Sequence, residues 1–75
     1  MEDRITFEIK ERIGVIKEYP TGWNKEINMV SWNEGPAKVD IRDWDPDHKK
    51  CGRGITLNMA ETEELYRVLA ERLGN

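Results

Sequence analysis

The stretch VDIRDWDPDHKKCGRGITL, residues 39–57, gathers much of what this chain could use for chemistry. Arg42 stands between Asp40 and Asp43, Trp44 follows at once, and Lys49, Lys50 and Arg53 precede Ile55 and Leu57. Strand alternation would put Lys38, Arg42 and Trp44 on one face. Cations neutralise phosphates and an exposed indole offers a flat surface to an unstacked base, a pairing suited to single strands rather than duplex. The same residues allow a plainer arrangement, with Arg42 paired to Asp40 or Asp43 and Trp44 capping the core. Spacing alone leaves both open.

Two further tryptophans, Trp23 and Trp32, are interleaved with Lys17 and Lys25. Three indoles are many for so small a core to absorb, and with the cations they suggest a stacking platform in a basic groove. A protein-binding surface would use the same side chains. In KKCGRG the glycines let backbone approach a ligand closely and leave Lys49 and Lys50 on a loop within reach of phosphates, although an ordinary hairpin loop would also use them.

Other chemistries fail on spacing. Asp43, Asp45 and Asp47 alternate as at the opening of a calcium loop, but His48 stands where that loop requires Gly and Gly54 where it requires the bidentate Glu. These aspartates are expected to shape a turn and accept backbone hydrogen bonds. His48 and Cys51 are the single members of their types, so neither a metal cluster nor a supported nucleophile is expected. The sequence therefore predicts a non-enzymatic protein with no cofactor, no metal and no small-molecule substrate.

Seventy-five residues allow one domain, residues 1–75. A chain this short buries only about 60% of its extended surface, and a lone cysteine excludes an internal disulfide, so self-association is expected to supply the missing stability. No apolar run approaches a membrane span, which points to a soluble cytoplasmic protein, nucleoid association being left open. Net charge is −3, yet residues 35–57 hold five Lys/Arg against four Asp/Glu, while the segments before and after are acidic. Cationic density is local.

Those side chains have to be positioned by strands. Ile5, Phe7 and Ile9 alternate against Thr6 and Glu8, predicting a strand over 5–10, and residues 13–19 read as a second strand or a bent continuation. PTG and NEGP are turns around a strand at 24–32, whose two faces both carry apolar groups. Residues 38–44 place Val39 and Ile41 opposite Lys38, Asp40, Arg42 and Trp44, and 54–57 form a closing strand. Asn58 with Glu61 makes a capping box for a helix over 59–73 that Gly74 ends. The plan is α+β: four to five antiparallel strands in a curved sheet and one C-terminal helix. Leu65, Tyr66, Val68, Leu69 and Leu73 span more than one narrow face, so part of the helix stripe is expected at a symmetric dimer interface.

The block VDIRDWDPDHKKCGRGITLN resembles the Positive Cofactor Four family of transcriptional coactivators: an IDIR-aromatic strand, an acidic-Pro turn, a basic Gly-containing loop, and a helix opening at Asn. With WNKEINMVSWN upstream, the chain is more similar still to the bacterial YdbC-type branch. The resemblance covers residues 5–73 and implies a homodimer of curved antiparallel sheets that binds single-stranded DNA with little sequence preference. By motif position it puts Arg42, Trp44, Lys49, Lys50 and Arg53 on the binding surface, with Lys17, Trp23, Lys25, Trp32 and Lys38 as neighbours. The eukaryotic coactivators carry a Ser/Lys-rich tail before this core that the present sequence does not show, so coactivation is not carried over. Single-stranded RNA as the ligand, and a protein-interaction dimer using the tryptophan face, stay as alternatives.

Overall fold

A computed structural model describes residues 5–74. Four strands, β1 (Phe7–Glu18), β2 (Asn24–Trp32), β3 (Ala37–Trp44) and β4 (Cys51–Leu57), form an antiparallel sheet in the order β1-β2-β3-β4, and one helix, α1 (Met59–Leu73), follows. The α+β plan expected from the sequence is the observed one.

The two N-terminal segments are one bent strand. Its pairing with β2 shifts register between Ile9 and Glu11, Arg12 and Gly14, and Val15 and Lys17, so Lys10, Ile13 and Ile16 are extra residues. Each such bulge bends a strand, increases its twist and turns the following side chains to the other face. The β2–β3 turn reverses through left-handed Asn33 and Glu34, and Asn33 clips it to the start of the chain: its N–H donates to Thr6 O and its Oδ1 accepts from Thr6 N–H.

The helix boundaries follow from local chemistry. Asn58 Oδ1 accepts from Glu61 N–H at 2.7 Å, Glu61 Oε1 accepts from Asn58 N–H at 2.9 Å, and Gly74 terminates the helix at φ 88°. None of the helix's residues is buried. No described helix is long and apolar enough to cross a membrane.

The register defines two faces. One, the Trp44 face, holds Phe7, Ile9, Arg12 and Val15 from β1, Asn24, Glu26, Asn28, Val30 and Trp32 from β2, and Lys38, Asp40, Arg42 and Trp44 from β3. The Ile41 face carries two apolar rungs, Ile27–Ile41–Ile55 and Met29–Val39–Leu57. Trp44 and Val30 are wholly buried, both on the first face. Of the two arrangements left open, the plainer one holds, with Trp44 in the core and Arg42 paired to Asp40, and this corrects the placement of Trp44 on the binding surface: Phe7, at 5.0 Å between ring centroids, Trp32 and His48 close over it. The face that looked polar along β3 carries the wholly buried Trp44, Val30 and Asp40.

Candidate nucleic-acid interface

A carboxylate organises the Trp44 face. Asp40 is wholly buried, and its charge is met from three strands: Oδ1 accepts from Arg42 Nε at 2.7 Å, and Oδ2 accepts from Thr56 Oγ1 at 2.8 Å and Trp32 Nε1 at 3.2 Å. Such pairing is what lets a charge survive burial. Arg42 is thereby fixed; its Nη1 also donates to Gly52 O, and its guanidinium lies 4.8 Å from the Trp32 ring centroid in a cation–π contact. Asp40 and Gly52 hold the guanidinium in place, and its bond to Asp40 raises the Arg42 pKa further despite burial. Gly54 lies beneath this assembly, where an added Cβ would collide with Arg42 Cβ and Ile41 O, so the strand can approach only as glycine.

One edge of that assembly is open. A cleft of about 290 Å³ is lined by Ile5, Trp32, Asn33, Arg42 and Thr56. Trp32 is half-buried: its indole N–H is spent on Asp40 while part of the ring reaches the cleft.

Across Trp44 lies a second polar pair. Glu26, nearly buried, accepts from Asn28 Nδ2 at 3.0 Å and meets His48 Nε2 at 2.9 Å. Burial pushes the Glu26 carboxyl up, but the Asn28 and His48 hydrogen bonds and the His48 charge outweigh it, leaving the group below the ordinary carboxylate range. A depressed carboxylate stabilises the fold fully above its unfolded value, about 4.3, and loses that contribution as pH falls through the folded value. Denaturant midpoints are therefore expected to fall as acid carries the protein below that range, and Glu26→Gln should flatten the fall. An equally steep acid loss in the variant would assign it elsewhere.

The basic loop is built by Asp45, as the turn-shaping aspartates were expected to be. Its Oδ1 accepts from Lys49 N–H at 2.8 Å and Lys50 N–H at 3.0 Å, while left-handed His48, at φ 58°, completes the reversal. The N–H groups of Lys50 and Lys49 hold the Asp45 carboxyl below its usual range, although partial desolvation opposes them. Lys49, Lys50 and Arg53 are all exposed.

The expected site residues do not share one face. Trp32, Lys38 and Arg42 lie on the Trp44 face, whereas Lys17 and Lys25 pair across strands with Asp43 on the Ile41 face. Trp23, half-buried, belongs to the β1–β2 turn. The two groups meet at one end of the sheet, where Gly22 of the β1–β2 turn, at φ 96°, packs close to Pro46 of the basic turn. Residues the sequence did not single out, Phe7, Tyr19, Glu26, Asn28 and Thr56, supply much of the framework. Nothing in the sequence marks these as site residues, since most of the side chains they meet come from other strands and turns.

Residues 19–68 match the family model described as Transcriptional Coactivator p15 (PC4). A protein of Treponema pallidum (strain Nichols), described as an uncharacterized protein, is 38% identical over 69 residues, which cover 92% of this chain and 81% of the relative.

Proposed function

This chain belongs to the Transcriptional Coactivator p15 (PC4) family, known for single-stranded DNA binding and coactivator roles, and from that premise we propose that it binds single-stranded DNA as a homodimer, without catalysis. The observation that carries the reading is the Trp32 cleft. Its indole is held by Asp40 and stacked with Arg42, so an incoming base meets an aromatic edge and a guanidinium plane already ordered. Phosphates on either side of that base are left to Lys38, to Lys49 and Lys50 of the turn, and to Arg53 at the start of β4. Trp44 acts from beneath, as the packed support of Trp32.

The dimer reading rests on surface that a monomer leaves uncovered. Tyr66 is 75% and Leu73 71% exposed, with Val68, Leu69 and Ile55 also open and Leu65 half-buried. A two-fold pairing of the α1 stripe and the Ile27–Ile41–Ile55 rung would bury these groups against their own copies.

Titrating a labelled oligo-dT against the protein at two salt concentrations tests the proposal. Affinity should fall with a log–log slope of about −0.7 per neutralised phosphate, duplex of matched length should compete poorly, and the sedimenting protein should have twice the 8.8 kDa chain mass. Absence of binding at low salt would defeat the reading. A protein-interaction dimer would instead keep the mass and lose the oligonucleotide.

A further inference from the structure

At the end of the sheet where the two turns meet, an open cleft of about 440 Å³ is lined by Tyr19, Pro20, Thr21, Trp23 and Asp43. Its walls are aromatic and its one charged lining group is a carboxylate. Tyr19 Oη donates to Asp43 Oδ1 at 3.2 Å, and among the described residues no other side chain bonds to Asp43, so Oδ2 and a lone pair of Oδ1 remain for a ligand. The surroundings are cationic: Lys17 Nζ lies 5.6 Å from the Tyr19 ring centroid, and Lys17, Lys25 and Asp43 form one rung across β1, β2 and β3.

A ligand that fits must be flat, present N–H donors to the carboxylate, and carry negative charge beside it for Lys17 and Lys25. A nucleobase on a phosphate backbone meets all three. The bases differ in what they offer. Thymine has a single N–H between two carbonyl oxygens, which a carboxylate repels. Cytosine and adenine each pair an amino group with a ring acceptor. Guanine presents N1–H and N2–H side by side, matching the two oxygens of one carboxylate.

We propose that the Tyr19–Trp23–Asp43 cleft is a base pocket that selects guanine from single-stranded DNA. The proposal rests on the single-stranded DNA reading above and adds a base preference to it. Trp23 and Tyr19 supply the stacking surface, Asp43 reads the Watson–Crick edge, and Lys17 and Lys25 hold the adjoining phosphates. Because the cleft is open to water, the preference should sit near the low end of a bidentate base contact, about tenfold.

The test compares a labelled oligo-dT with the same strand carrying isolated dG residues, too sparse to form quadruplexes, and with inosine at those positions. The dG strand is expected to bind about tenfold more tightly than oligo-dT, with inosine, which lacks the N2 donor, in between. In Asp43→Asn the ratio of dG to dT affinity should collapse towards one. Equal affinity of the wild-type protein for the dG and dT strands overturns the base pocket while leaving single-stranded binding standing; failure to bind either strand overturns both. A preference that survives Asp43→Asn, or one that inosine reproduces in full, also overturns it. Should the variant fail to fold, the inosine comparison on the wild-type protein decides alone. Capture of oligo-arginine in place of any base preference would assign the cleft to a basic partner and sink the proposal.

Discussion

Replacing Asp40 with Asn is expected to destabilise the protein by about 3 kcal/mol, and with Ala by as much as about 5 kcal/mol, the range for removing one partner of a buried charge pair. The reason is the geometry around the carboxylate. Arg42 would keep its charge, with a side chain only 15% exposed and no counter-ion within bonding distance; in the Asn variant the one amide oxygen can serve either Arg42 Nε or the Trp32 Nε1 and Thr56 Oγ1 pair that now shares Oδ2, and in the Ala variant all three donors lose their acceptor. A domain of this size has about 4–11 kcal/mol of total stability, so the Ala variant sits at the edge of folding. Urea denaturation followed by tryptophan fluorescence measures the loss. Asp40→Asn combined with Arg42→Met should lose less than Asp40→Asn alone, since no orphaned cation is left. Additive losses would mean that the two residues act independently and would refute the coupling.

The second large effect concerns binding. Changing Lys49, Lys50 and Arg53 together to Ala should remove about three phosphate contacts. With a slope of about 0.7 per contact, that amounts to roughly a hundredfold loss of affinity at 0.1 M salt and a log–log slope shallower by about 2. The fold should survive, because all three side chains are exposed and the turn itself is held by Asp45 accepting from main-chain N–H groups, which the substitutions leave in place. Anisotropy titrations at several salt concentrations give both numbers. An unchanged slope would show that the loop does not touch the backbone of the strand, whatever happens to affinity. If partner proteins were still captured and oligonucleotide binding were never present, the interaction-dimer alternative would gain.

Much of the fold was legible because its signals are local. Asn58, Glu61 and Gly74 fix the helix within one turn of themselves, and PTG, NEGP and the acidic-Pro turn at 45–47 mark reversals through residues that accept or pre-set unusual backbone angles. The site was harder, and Lys17 shows why. Counting by twos from Phe7 assigns Lys17 to the Phe7 face; the three inserted residues Lys10, Ile13 and Ile16 reverse that assignment, and nothing in their side chains announces a bulge. The expected single basic groove thus becomes two groups of cations on opposite faces that join only around the turns. Trp44 failed differently. Its face was correct, but its exposure depended on Phe7, far off in sequence and brought over it by strand pairing, and on His48, folded back by the turn just after it; alternation within one strand encodes neither. For Asp40 the sequence offered the pairing with Arg42, but not its burial, because its other partners, Trp32 and Thr56, come from the strands on either side.

The order of the strands carries a kinetic consequence. Every strand pairs with the one made just before it, so the sheet can assemble by closing three short connections in succession, without waiting for distant segments to find each other. A chain wired this way should collapse rapidly and alone as it leaves the ribosome. Any subsequent meeting of two copies would then be a separate, slower event governed by how many molecules the cell contains.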